Sequence, residues 1–272
     1  YYQFKNRYCI MGGFNGYKVV AHRNLDELNK ELNTVMLRRK KEEVLDLPPK
    51  IYTTEYIELT RKQRILYKEI RQGIVDNLEN ILEIPNPLSC TVRLRQLTGG
   101  VFGDDNPKLE RVKDMLEEIT ESGHKALIFS QWEQVTSVYK EALKAYNPAY
   151  IVGAVDPEDR QKEVDRFQND PTCKVAIGTI GAMGTGLTMT AASYVFFVDK
   201  RYWDAENKQA EDRAHRIGTT NTVNVVSLVA TNTVDEGIEE MLRDNKALFD
   251  RVVEGKGSRV DMGEILRKIL QY

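Results

Sequence analysis

Three side chains in QAEDRAHRIG (209–218) are spaced for work on an anion: Gln209, Arg213 and Arg216 are separated by four and then three residues. On a helix that spacing puts an amide and two guanidiniums on one face, a poor core surface. Two rigid forks of donors would instead clamp an oxyanion such as a polyphosphate. The same spacing also fits a solvated face on which Glu211 and Asp212 pair with the arginines. Upstream, GTIGAMGTGLTMTAAS (178–193) crowds small residues between two apolar runs. There Gly184 and Gly186 let backbone approach a ligand closely, or else make a tight strand-to-helix connection. A third group, Ser130, Gln131 and Trp132, ends the apolar run KALIFS. Hydroxyl, amide and main-chain donors suit sequence-independent contacts to phosphates, whereas a capping Ser and a packed Trp are the plain alternative. Tyr202 and Trp203 follow the run YVFFVD and are candidates to stack on or wedge against nucleic acid, or to pack under their loop. His22, His124 and His215 have no metal-ligand spacing with Cys, His or Asp, so no metal bound by this chain is expected. No Ser/His/Asp or Cys/His set suggests covalent catalysis.

These residues need elements to hold them. After Pro107, compact apolar runs (KALIFS, AYIVG, CKVAIGT, YVFFVD, TVNVVSLVA) alternate with amphipathic helical stretches near 108–122, 132–145 and 156–169. That grammar predicts βαβ units and an α/β fold with a mostly parallel sheet buried on both faces. Ligands of such sheets bind beyond the carboxyl ends of the strands, so the informative residues are expected just after each run. Before Pro107 the signals are mixed. Residues 1–24 read as an irregular, turn-rich entry. Leu28, Leu32, Val35 and Met36 have helical spacing and lead into Arg38, Arg39, Lys40 and Lys41; then Pro48 and Pro49 break the chain. IYTTEYIEL (51–59) predicts a strand, 60–84 a helix, and Thr91–Leu97 a further short helix. Four segments are expected: 1–50, 51–105, 106–234 and 235–272.

Composition sets limits. Apolar residues make up 41% and charged residues 29%, with a formal net charge of −2. A core is possible, but no global basic field marks a nucleic-acid binder, so any such contact rests on local patches. Cys9, Cys90 and Cys173 are scattered, which suggests buried thiols in a reducing cytoplasmic, nucleoid or nuclear compartment. No run approaches the ~18 apolar residues of a membrane helix. The start, YYQFKNRYC, carries no initiator Met, and the chain is expected to be cut from a longer protein.

Read as whole strings, the motifs resemble the Swi/Snf family of superfamily two DNA-dependent ATPases. DKRYWDAENKQAEDRAHRIG is similar to the family's sixth helicase motif, Gln-Ala-x-x-Arg-x-x-Arg-Ile-Gly; Thr219 stands where glutamine usually follows. The resemblance implies that Arg213 and Arg216, with Gln209 beside them, reach across a cleft to the γ-phosphate of ATP as arginine fingers. GTIGAMGTGLTMTAAS resembles the fifth motif, which touches nucleotide and DNA backbone. Thr179 and Thr188 keep polar groups there, although Ile180 replaces a hydroxyl residue. KALIFSQW resembles the fourth motif, implying that Ser130, Gln131 and Trp132 lie along DNA. The family places a Trp three residues after the Asp that closes the strand, which is Tyr202 here, with Trp203 shifted by one. VMLRRKKEEVLDLPPK looks like the junction of two lobes, EYIELTRKQRILY and VRLRQLTGG like the entry to the second, and TVDEGIEEMLRDNKALFDRVV like a C-terminal brace helix.

The implied fold is the second, C-terminal RecA-like lobe, with a helical protrusion on its N-terminal side. A phosphate loop, G-x-x-x-x-G-K-[ST], is absent from the sequence, and no Asp-Glu pair follows an apolar strand. ATP with Mg²⁺ is therefore expected mainly in a first RecA-like lobe outside this chain. That lobe and double-stranded DNA are the implied partners, no membrane is, and this chain alone is expected to be inactive. The alternatives are a non-catalytic binding lobe, which the parent's phosphate loop would exclude, and an RNA helicase of the same superfamily, which the junction and brace segments oppose.

Overall fold

The computed structural model describes residues 1–12, 18–37, 41–72, 87–102, 105–184 and 186–254. Arg38–Lys40 of the basic run, the second half of the 60–84 helix, and the tail from residue 255 lie outside the described residues. The chain divides into two compact units, Tyr1–Leu45 with Glu236–Tyr272, and Asp46–Asp235.

In the first unit, α1 (Tyr2–Tyr8) leads into an antiparallel hairpin, β1 (Cys9–Gly12) with β2 (Lys18–His22), followed by α2 (Leu25–Val35) and α3 (Lys41–Val44). The described residues of 1–24 thus form a helix and a paired hairpin, not the irregular entry expected of this segment. Period-2 alternation is hidden in so short a hairpin, and its partners are distant in sequence: Tyr8 donates its hydroxyl to Glu31 at 2.9 Å, and Arg7 pairs with Glu27 and Glu31.

The second unit is built on a six-stranded sheet in the order β3-β8-β7-β4-β6-β5, with every described pairing parallel. Its elements in chain order are β3 (Lys50–Ile57), α4 (Arg61–Gln72), α5 (Pro87–Thr98), α6 (Pro107–Glu121), β4 (Lys125–Ser130), α7 (Glu133–Ala142), β5 (Ala149–Ile151), α8 (Pro157–Asn169), β6 (Val175–Thr179), α9 (Ile180–Met183), β7 (Ala192–Phe197), α10 (Asp204–Glu211) and β8 (Val223–Ala230); α11 (Val234–Glu254) follows. Alternation along β4 explains the layers. Leu127 and Phe129 face a core shared with Phe167 of α8, Met183 of α9 and Ala210 of α10. Ala126 and Ile128 face the other core, with Leu116 of α6 and Tyr139 of α7. Helices on both faces leave no wet side, which is why these strands read as continuous apolar runs. Helix starts are set locally: the Asn106 side chain accepts from the Leu109 N–H at 3.1 Å, and Pro107 occupies the first turn.

Two buried ion pairs tie the helices to the strand ends. Lys108, 1% exposed, donates to the Val198 carbonyl at 2.6 Å and to Asp235 at 2.7 Å. Arg95, 0% exposed, lies 3.5 Å from Asp199. Cys9 and Cys173 are buried and unpaired. No described helix is long and apolar enough to cross a membrane.

Candidate functional site

The segment around the two arginines departs from the expected helix. Regular α-helix ends at Glu211, and residues 212–218 form turns, so Gln209, Arg213 and Arg216 do not share a helical face. Tertiary contacts end the helix. Lys50 at the start of β3 pairs with Glu211 at 3.2 Å and Asp212 at 2.9 Å, and Tyr52 donates to Glu211 at 2.9 Å. His215 is bonded through Nε2 to the Pro48 carbonyl at 2.7 Å. Thr219, the departure from the family's glutamine, turns inward. Its hydroxyl donates to the Ala214 carbonyl at 2.6 Å and accepts from the Arg216 N–H at 3.1 Å, closing the turn.

The arginines nevertheless converge. Arg213 donates from Nη1 to the Leu187 carbonyl at 3.1 Å and from Nε to the Gln209 carbonyl at 3.1 Å, while its own carbonyl accepts from the Met189 N–H at 2.9 Å. Arg216 is exposed and donates from Nη1 to the Thr188 hydroxyl at 3.0 Å. Both guanidiniums therefore grip one loop, residues 187–189, and neither forms a salt bridge among the described residues. The acids that might have neutralised them are committed to Lys50. Burial works against that lysine's charge, yet Glu211 and Asp212 outweigh it and hold its proton more tightly than in water. Conversely, burial and then the Arg216 charge lower the proton affinity of Arg213. Asp212 opposes that shift only in part, and two like charges this close are a site that an anion would relieve.

The loop they grip comes from the glycine segment. Thr179 caps α9, accepting from the Ala182 N–H at 3.3 Å. Gly184 is buried, and a Cβ there would stand 2.3 Å from the Ile180 carbonyl oxygen. Gly186 has φ +73° with open space around it, so its requirement is backbone conformation. Gly184 thus serves the tight connection and Gly186 the accessible turn. Gly184→Ala should cost about 1–3 kcal/mol by overpacking, read as a fall in the thermal midpoint; an unchanged melt would show the turn has slack. The Gln209 side chain is exposed.

The rule that ligand residues follow each strand holds for only part of this set. Met189 bonds the Arg213 carbonyl and sits in the turn entering β7, while Pro48 and Pro49 hold His215 and Val223 where β3 and β8 begin. The arginine turn therefore lies beside the amino ends of these strands. Ser130–Trp132, Thr179 and Asp199–Trp203 lie at the carboxyl ends. The segment 179–189 runs from one rim to the other.

At the carboxyl rim, the structure corrects two expectations. Ser130 is 1% exposed; its hydroxyl donates to Asp199 and accepts from the Trp132 N–H at 3.0 Å, so it organises the loop and cannot offer itself to a phosphate. Trp132 is half-buried and packs on the α6/α7 core. Gln131, also half-buried, accepts from Arg95 at 3.2 Å, which leaves its amide nitrogen as donor. Tyr202, expected to take the exposed aromatic role, is held with the Arg95 guanidinium 4.8 Å from its ring centre. Trp203 is the exposed ring, at 72%. A one-residue shift reverses which ring faces out.

Sequence reasoning passed over Arg95, Asp199, Lys108 and Asp235, which the structure buries as two ion pairs. Asp199 carried a signal, a carboxylate directly after a fully apolar run. Burial raises its proton affinity, and Arg95 and Ser130 offset part of that. Arg95 carried a weaker one, a charge among Leu94 and Leu97 on a helix.

Comparison with known proteins agrees with this architecture. Residues 107–218 match the helicase conserved C-terminal domain. The mouse DNA annealing helicase and endonuclease ZRANB3 is 31% identical over 96% of this chain and 25% of that protein. Helicase SWR1 of Candida glabrata is 29% identical over 85% of this chain and 16% of that protein. The chain therefore spans a quarter or less of the length of these two curated relatives. The Sulfolobus solfataricus SWI2/SNF2 ATPase core in complex with dsDNA superposes with a TM-score of 0.60 at 28% identity, covering 85% of this chain and 52% of that chain. A parallel sheet of this order, the two-arginine turn closed on the glycine segment, and relatives matching along most of its length place the chain in the Swi/Snf-type helicases, as their C-terminal RecA-like lobe.

Proposed function

We propose that this lobe serves an ATP-dependent double-stranded DNA translocase or remodeller. It supplies Arg213 and Arg216 as arginine fingers, and it supplies contacts to the DNA backbone. The observation that carries the reading is the convergence of two guanidiniums on the 187–189 loop, neither in a salt bridge among the described residues. ATP is the substrate whose charge fits them. Guanidiniums placed at the γ-phosphoryl oxygens stabilise the charge that spreads there as the phosphoryl group transfers. Thr188 and Gln209 would orient the clamp, with the Gly186 turn beside them. The donor set suits phosphate and not Mg²⁺, since Glu211 and Asp212 are taken by Lys50. The metal and the phosphate loop then belong to an N-terminal RecA-like lobe outside this chain. Closure of the two lobes on ATP, and reopening after hydrolysis, would drive steps along the duplex.

Duplex contact falls to the carboxyl rim. Gln131, Thr179 and the exposed Trp203 are the groups we assign to it, with Trp132 and Tyr202 beneath them. The relative solved on double-stranded DNA supports this reading. Two measurements test it. ATP turnover by the 272-residue chain alone should be negligible with or without duplex, while the intact protein should be stimulated by duplex and should displace a triplex-forming strand. Robust DNA-stimulated turnover by the 272-residue chain would overturn the division of labour. Duplex binding by the chain should be weak, indifferent to sequence and lost as salt is raised, because phosphate contacts carry nearly all of the affinity and each one displaces a counterion. Tight binding that survives raised salt would contradict it.

A further inference from the structure

Arg95 is a costly residue to bury. Its side chain is 1% exposed, its nearest approach to the Asp199 carboxylate is 3.5 Å, and its Nε has no hydrogen-bond partner among the described residues. A buried charge so imperfectly paired contributes little net stability. What it does is geometric. From α5 it donates through Nη1 to Gln131 at 3.2 Å and through Nη2 to the Lys200 carbonyl, so one guanidinium spans the loop after β4 and the loop after β7. Its guanidinium carbon lies over two rings, Trp132 at 5.7 Å and Tyr202 at 4.8 Å from their centres. The carboxylate it approaches is itself the junction of the two loops, accepting from Ser130 and from the Gln131 N–H at 2.9 Å.

The next residue along is Trp203. It stands at the N-cap of α10 without a side-chain cap of its own. Beyond it, the Asn207 amide accepts from the Arg201 N–H at 2.9 Å and donates back to the Arg201 carbonyl at 2.9 Å, tying the loop to the helix. Arg95 and Asn207 thus bond the loop at Lys200 and Arg201, just before the exposed indole.

We propose that Arg95 is a positioning residue that fixes the Gln131–Trp132 and Asp199–Tyr202 loops as one surface and so presents Trp203 to duplex DNA. Arg95 itself never touches the nucleic acid. The inference rests on the reading of Trp203 as a duplex contact. Lysine should not substitute, because an ammonium keeps the charge near Asp199 but lacks the planar fork that reaches Gln131 and Lys200.

The test is a double-mutant cycle on the intact protein, read as affinity for a fluorescein-labelled 30-base-pair duplex at several salt concentrations. Trp203→Ala should weaken binding roughly tenfold, the range expected of one lost aromatic contact. Arg95→Lys should weaken it by a similar factor. Combining them should add less than a further twofold, since both act through one indole. The salt dependence should match the native protein in all three, because no cationic contact to a phosphate is removed. Native affinity in Arg95→Lys, or losses that multiply in the double variant, would overturn the proposal. A flattened salt dependence in Arg95→Lys would also overturn it by showing that Arg95 contacts phosphate directly. If Trp203→Ala binds like the native protein, the duplex reading of this rim fails and the proposal falls with it. Should Arg95→Lys fail to fold, Tyr202→Leu takes its place in the cycle: it removes one ring that the guanidinium lies over and leaves the buried hydrogen bonds. Additive losses with Trp203→Ala would then overturn the proposal.

Discussion

Replacing Arg216 by alanine in the intact protein is expected to lower ATP turnover by roughly 10³-fold or more, the usual scale for a lost arginine finger. Nucleotide affinity should change far less, because a charge that matters chiefly as the phosphoryl group transfers contributes little to the ground state. Stability should hardly move. Arg216 is exposed and, among the described residues, its side chain bonds only the exposed Thr188 hydroxyl, so truncation strands no buried partner there. Arg213→Ala should lose turnover similarly but with a lower melting temperature, since Arg213 ties the Leu187 and Gln209 carbonyls together. Lysine at either position should rescue poorly. Steady-state turnover, nucleotide affinity and a thermal melt on each variant decide the matter. Turnover near native in Arg216→Ala would remove the arginine from the catalytic set, and a collapsed melt would make the pair structural.

The second large effect concerns folding. Lys108→Ala should cost about 3–5 kcal/mol, because it leaves the Asp235 carboxylate buried without its cation. Asp235 would keep the Thr98 hydroxyl at 3.2 Å and the Ala230 N–H at 3.2 Å, which is not enough for a charge removed from water. The Val198 carbonyl would lose its Lys108 donor as well. Lys108→Met combined with Asp235→Leu should recover much of the loss, since a buried ion pair replaced whole by apolar groups is often neutral. Denaturant unfolding at equilibrium measures both. A loss under about 1 kcal/mol in Lys108→Ala would place this pair with the weak surface bridges, and a double variant no better than the single would show that the carboxylate has a use of its own.

The alternation of short apolar runs with amphipathic helices was enough to foresee the parallel sheet, because a strand covered on both faces has no polar side to interrupt it. The paired arginines and the glycine segment were also legible, the first by the spacing of two guanidiniums and an amide, the second by small residues crowded between two apolar runs. The hairpin Cys9–His22 was not, for its few residues carry no period and its stabilising partners lie on α2. Nor was the end of α10. Residues 209–216 have helical spacing, but Lys50 and Tyr52, some 160 positions away, draw Glu211 and Asp212 aside and fold the arginines onto Thr188 and Leu187 as a turn. At the opposite rim, sequence could propose Ser130, Tyr202 and Trp203 together but could not say which would be outside. Burying Arg95 under the two loops decided it: the guanidinium drew Tyr202 inward, the Asp199 carboxylate took Ser130, and Trp203 was left in solvent. Local spacing thus determined which residue types the site would use. Their orientation was set by ion pairs between segments far apart in the chain, which no local pattern encodes.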